Sequence, residues 1–116
     1  MNEKPKHVRV IKSHSATYPD PIQVKFREKV RVGGTDEEWS GWVWCTNRKG
    51  KGGWVPQSYL KMTGKTGTLR RNFNAMELTV TAGEKLAVQQ EVSGWLLCKN
   101  ESGQRGWVPA KNVEKI

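Results

Sequence analysis

An internal repeat sets the limits on what this 116-residue chain can fold into. Ser40-Gly41-Trp42 returns as Ser93-Gly94-Trp95, Cys45 as Cys98, Asn47 as Asn100, and Gly50 as Gly103. Gly53-Trp54-Val55-Pro56 returns as Gly106-Trp107-Val108-Pro109, and all these pairs share an offset of 53 residues. Upstream, Val24 matches Val80 and Glu28-Lys29-Val30 matches Glu84-Lys85-Leu86, at an offset of 56. The first copy therefore carries three extra residues within 33–39. An insertion confined to one place reads as a surface loop.

Each copy is about 53 residues long and shows no helical periodicity. Instead, short alternating runs such as Ile22-Gln23-Val24-Lys25-Phe26 and Glu77-Leu78-Thr79-Val80 are broken by Gly, Asn and Pro. Leu86-Ala87-Val88 and Trp42-Val43-Trp44 read as further strands, and turn signals recur at Gly33-Gly34 and around Asn47 and Asn100. Evenly spaced short strands predict an all-β chain of two small closed barrels, which leave few edges exposed. The boundary is expected near 62–66, giving one barrel over 8–62 and a second over 66–116. So short a linker predicts a monomer with docked barrels, because each barrel alone is near the lower size limit for a stable core.

The repeated order of motifs resembles the SH3 domain: Gly-Trp, a small residue three positions after the Trp, then Gly-Trp-Val-Pro and a short tail. In the first copy Trp42, Cys45, Gly53 through Pro56 and Pro56-Gln57-Ser58-Tyr59 carry the likeness. In the second it is carried by Glu77 through Val80, Gly83-Glu84, Trp95, Cys98 and Gly106 through Pro109. It is similar above all to tandem SH3-like proteins of bacteria and archaea that are often labelled only as ligand-binding. The Ala-Leu-Tyr-Asp-Tyr opening of the family is absent from both copies, and Asn112 stands where the second copy would have its tail Tyr.

The resemblance implies a five-stranded barrel with an aromatic groove for a polyproline II segment, a ligand that is extended before it binds. The slots of the first copy would be lined by Trp42, Trp54, Pro56 and Tyr59, with Tyr18 or His14 in place of the missing opening aromatics. Asp36, Glu37 and Glu38 would form the acidic loop that receives a basic ligand residue, with Asp20 opposite. The second copy would offer Trp95, Trp107, Pro109 and Phe73, with Glu77 as a lone acid. Alternation supports outward indoles: if Val55 and Val108 point into the barrel, Trp54 and Trp107 point away. By the same expectation Trp42 and Trp95 face the groove, Trp44 packs on the opposite face, and Trp39 belongs to the contact between barrels. The bland alternative is that these rings are core.

The chain carries 20 Lys+Arg against 11 Asp+Glu, a formal charge of +9, and a mean hydropathy of −0.73. Such an excess favours anionic partners, so nucleic-acid binding by a basic barrel pair is the alternative to peptide binding. The cations are spread, with 12 Lys+Arg against 6 acids in residues 1–63 and 8 against 5 in residues 64–116. Binding of cell-wall peptides is a third reading. The polar start, residues 1–7, has no apolar segment and leads to the expectation of a cytoplasmic protein. No apolar run suffices to span a bilayer, so no membrane partner is expected.

No catalytic set can be assembled: there is no Ser-His-Asp arrangement, no paired carboxylates and no nucleophile elbow. Gly64-Lys65-Thr66 invites a phosphate-loop reading, but that motif needs a Gly at position 59, where Tyr stands. Cys45 and Cys98 are equivalent by repeat, which places one in each barrel as a small core side chain. His7 and His14 have no metal-ligand spacing to either cysteine. The chain is therefore expected to be a binding module with no enzyme activity, no metal and no cofactor.

Overall fold

The computed structural model describes residues 6–17 and 20–116. Among these residues the chain is all-β, with two five-stranded sheets and a small two-stranded pair. The strands are β1 (Lys6–Val10), β2 (Gln23–Val24), β3 (Lys29–Thr35), β4 (Trp42–Thr46), β5 (Gly52–Pro56) and β6 (Leu60–Thr63). They continue as β7 (Thr66–Leu69), β8 (Phe73–Asn74), β9 (Lys85–Val92), β10 (Trp95–Lys99), β11 (Arg105–Pro109) and β12 (Val113–Lys115). Single 3₁₀ turns, Gln57–Tyr59 and Ala110–Asn112, follow the two Trp-Val-Pro motifs. Proline fixes φ at the entry to each turn and cannot donate to a continued ladder.

The two compact units are cut differently from the 8–62 and 66–116 segments that the repeat suggests. One unit comprises residues 20–75, and the other joins 1–19 to 76–116. In the first, which we call the central unit, the sheet order is β5-β4-β3-β7-β6, with β2 paired to β8. In the second, the terminal unit, it is β11-β10-β9-β1-β12. The opening strands of the two copies have thus changed places. β1 lies between β9 and β12 of the second copy, while β7 lies between β3 and β6 of the first.

Equivalent hydrogen bonds show that the exchange is reciprocal. In the central unit Arg27 N donates to Leu69 O and Leu69 N to Glu28 O. In the terminal unit Gly83 N donates to Val10 O and Val10 N to Glu84 O. Leu69 and Val10 therefore fill the same place in the two barrels, as do Phe73, paired with Val24, and His14, bridged to Val80. The chain changes units within two residues: Ala75 N donates to Ile22 O, and the next carbonyl, Met76 O, accepts from Trp107 N.

Each unit has its own core, and each core uses the expected alternation. In the central unit Ile22, Val24, Val30, Val43, Val55 and Leu69 are buried around Cys45. In the terminal unit Val8, Val10, Leu78, Val80, Leu86 and Val108 enclose Cys98. The glycine before each Trp-Val-Pro motif gives the close packing its room. A Cβ on Gly53 would lie 2.5 Å from Ile22 Cγ2, and one on Gly106 would lie 2.7 Å from the Leu78 backbone nitrogen.

Candidate binding groove

In the central unit, β4 starts at Trp42 and the 3₁₀ turn ends at Tyr59, so both rings stand where strands meet loops. The third ring comes from β8. Phe73 lies 6.2 Å from Trp42 in a tilted arrangement and 5.6 Å from Tyr59 edge to face. The guanidinium of Arg71 sits 4.7 Å above the Tyr59 ring, within cation–π range. Pro56, the fourth expected groove residue, is buried beside this set.

The acidic loop joins the same end of β4. Asp36 N donates to Trp42 O, which ties the loop to the aromatic cluster. The Asp36 carboxylate accepts from Glu38 N at 2.8 Å and from Trp39 N at 3.1 Å. Asp36 is therefore committed to closing its own turn, while Glu37 and Glu38 are exposed. Asp20, expected opposite this loop, is ion-paired with Lys51 on the edge of β5.

The equivalent positions of the terminal unit carry fewer rings. Trp95, equivalent to Trp42, meets the His14 ring at 5.7 Å edge to face. His14 Nε2 and Glu77 Oε1 are 2.7 Å apart. Asn112, in the place of Tyr59, is buried and donates from its amide to Lys12 O at 3.1 Å. The tail position there makes a hydrogen bond to the backbone where the central unit packs the Tyr59 ring between Phe73 and Arg71. Pro109 is buried.

Three sequence expectations need correction. Four indoles were expected to face outward, but Trp42 and Trp107 are 6% and 4% exposed, and Trp54 and Trp95 are half-buried. Alternation still holds for Val55 and Val108, which are fully buried. The segment 76–78 pairs along the edge of β11, with Leu78 N donating to Trp107 O and Trp107 N to Met76 O. Second, Phe73 and His14 serve the opposite copies from those expected, since the strand exchange carries each to the other barrel. Third, Trp44 packs edge to face on Trp54 at 5.2 Å, with Gly52 leaving room under its ring. Tyr18 lies outside the described residues.

Arg71 was not legible as a groove residue, because only the exchanged position of β7 and β8 brings it to Tyr59. Both cysteines are unpaired and fully buried, and burial pushes each thiol up to about 11. Neither is the activated thiolate that nucleophilic chemistry requires.

Two small barrels, each with a Trp, a 3₁₀ turn after a Gly-Trp-Val-Pro strand and an opening segment laid across them, define the fold. The profile of the variant SH3 domain matches residues 7–62 and 64–116, nearly the whole chain. The chain belongs to the variant SH3 domain family. SH3 domains are generally non-catalytic binding modules. A stretch of 43 residues is 44% identical to Epidermal growth factor receptor kinase substrate 8-like protein 3 of Homo sapiens. The Mus musculus protein of the same name matches to the same extent. These matches cover 37% of this chain and 7% of each relative, so the shared stretch is a small part of the length of those proteins. No solved structure matches the chain.

Proposed function

We propose that the protein is a non-catalytic interaction module whose central SH3 unit binds an extended, proline-rich and basic peptide segment of a partner protein. The observation that carries this reading is the Trp42–Phe73–Tyr59 ring set with the acidic loop 36–38 hydrogen-bonded to its edge. The three rings are buried, Trp42 at 6%, Tyr59 at 5% and Phe73 at 4% exposed, so they form the rigid floor of the site, and the exposed carboxylates of Glu37 and Glu38 favour a Lys or Arg on an extended ligand laid over it. The terminal unit contributes less, because Asn112 occupies the place of Tyr59. Such grooves bury little area, so affinity is expected in the micromolar range, about −8 kcal/mol.

The test must separate binding from folding. Trp42→Ala cannot do so: the ring is buried, and removing a core Trp costs about 3–5 kcal/mol of stability. Glu37→Gln with Glu38→Gln leaves the rings in place. Titration of a proline-rich basic peptide should shift the amide resonances of residues around Trp42, Tyr59 and Phe73. The double variant should bind it roughly three- to tenfold more weakly, as expected for loss of partly exposed charge attraction. Equal affinity for the variant, or shifts confined to the terminal unit, would refute this reading.

A further inference from the structure

A second feature of the central unit is absent from the equivalent surface of the terminal unit. Lys25, Arg27, Arg48 and Lys49 line one open groove of about 1110 Å³ together with Phe26. Lys29 and Arg31 line an adjoining depression that shares Arg48 with it. All six cations are exposed. The single acid in this set, Glu28, is turned inward: its carboxylate accepts from Lys25 N at 3.1 Å and closes the turn.

The repeat supplies an internal control. The backbone of this surface is the same in both units. Glu28 N donates to Lys25 O as Glu84 N donates to Thr81 O, and Gly50 N donates to Asn47 O as Gly103 N donates to Asn100 O. The side chains differ. Thr81, Ala82, Gly83, Ala87, Glu101 and Ser102 stand where the central unit has Lys25, Phe26, Arg27, Arg31, Arg48 and Lys49. Of the six cations only Lys29 has a basic counterpart, Lys85, so the fold requires neither the other five nor the aromatic ring.

Two of the differences run against local physics. Phe26 is 55% exposed where its counterpart is Ala82. Arg27 has φ 71, the left-handed region that suits glycine, and its counterpart there is Gly83 with φ 99. Residues held in such a conformation cluster at sites of function. The Arg27 guanidinium lies 5.1 Å over the Phe26 ring, and Phe26 N donates to Asn72 Oδ1 at 2.8 Å, which fixes the base of the platform.

We infer that the turn 25–28 and the loop 47–50 form a second binding surface, whose ligand is single-stranded nucleic acid. Lys29 and Arg31 occupy alternate positions of β3 and so share one face ~6.8 Å apart, and the turn 25–28 brings Lys25 and Arg27 to the start of that strand. A contiguous set of exposed cations along two adjoining depressions suits a linear polymer with one charge per unit. The exposed ring and the guanidinium beside it supply what charge alone does not, a face on which an unpaired base stacks. A duplex keeps its bases stacked, and an acidic peptide has no use for the ring. Of this surface only Phe73 also belongs to the peptide groove, so the inference stands apart from the reading of that groove.

The experiment measures binding of a fluorescein-labelled 12-residue oligothymidylate to the full chain by anisotropy, at several salt concentrations. The variants Phe26→Ala, Arg27→Gly and Arg48→Glu each install the residue that the terminal unit already tolerates. With about four phosphates contacted, log K should fall with log salt at a slope of about −3. Phe26→Ala should weaken binding about tenfold at an unchanged slope. Arg27→Gly should lower the slope by about 0.7 while raising the melting temperature, so its loss of affinity is not loss of fold. Wild-type affinity in Phe26→Ala would overturn the proposal, as would affinities unchanged in all three variants. Poly-L-glutamate competing as well as the oligonucleotide would show that the surface selects charge alone, and would overturn it too.

Discussion

Cys45 and Cys98 illustrate how burial sets chemistry one side chain at a time. Both are fully inaccessible, and desolvation of the charged form raises each thiol from an ordinary 9.0 to about 11. The folded state therefore holds these protons more tightly than the unfolded chain does. The stabilisation is fully present below pH ~9 and is lost as pH rises towards 11. Stability in urea should accordingly fall across that alkaline window, and a Cys45→Ala, Cys98→Ala variant should lose part of the dependence. Thiol labelling of the native protein at neutral pH should be slow and should speed up with denaturant at the unfolding transition. Fast stoichiometric labelling without denaturant would contradict the burial. The equivalence of these two positions was readable in the repeat, since a small side chain after Gly-Trp has one natural place in a barrel. The exposure of the tryptophans was not. Alternation says which way a side chain points and is silent on what packs over it, and Trp42 and Trp107 are 6% and 4% exposed.

At the scale of the strand, the exchange of β1 and β7 has a steric basis. Gly67 of β7 faces Val30 of β3, and Val8 of β1 faces Leu86 of β9, its counterpart. A Cβ on Gly67 would lie 3.1 Å from Val32 Cγ2 and 3.2 Å from Leu60 Cδ2. In the terminal unit the residues equivalent to Val32 and Leu60 are Val88 and Val113, and the smaller Val113 accompanies the larger Val8. Leucine goes with glycine in one barrel, and valine with valine in the other. Each opening strand thus fits the barrel of the other copy. Gly67→Val should then overpack the central unit and destabilise it by about 1–3 kcal/mol, measured by urea denaturation. Pairing it with Leu60→Val should recover part of the loss through coupling between touching residues. Purely additive effects would show that the size match does not operate. The strands themselves were legible in the sequence from alternation and turns. Their partners were not, because two copies of one barrel present almost identical hydrogen-bonding edges, and the choice rests on the fit at one position, Gly67 or Val8.

For the whole molecule, the exchange moves the point at which the chain can be divided. The repeat suggests a cut near 62–66, and the family profile follows it, with segments 7–62 and 64–116. The compact units place the natural cuts at 19/20 and 75/76. A fragment of residues 20–75 contains β2 through β8, so every strand of the central sheet has its partners and the core around Cys45 is complete. A fragment of residues 1–62 retains β1 without β9 or β12 and lacks β7. To fold alone it must place Val8 where Gly67 belongs, against Leu60. Residues 63–116 carry the opposite defect, setting Gly67 in the place of Val8 and leaving a void beside Val113. Domains this small bury a modest fraction of their surface and have little stability to lose. We therefore expect 20–75 to be a folded monomer with a cooperative urea transition. Fragments 1–62 and 63–116 should each be less stable by roughly 1–3 kcal/mol or unfolded, and mixing them should restore structure as they exchange strands. Circular dichroism, denaturation and sedimentation of the three fragments and the mixture provide the measurement. If 1–62 matches 20–75 in stability and gains nothing from its complement, the strand exchange has no energetic basis in the fit of Val8 and Gly67.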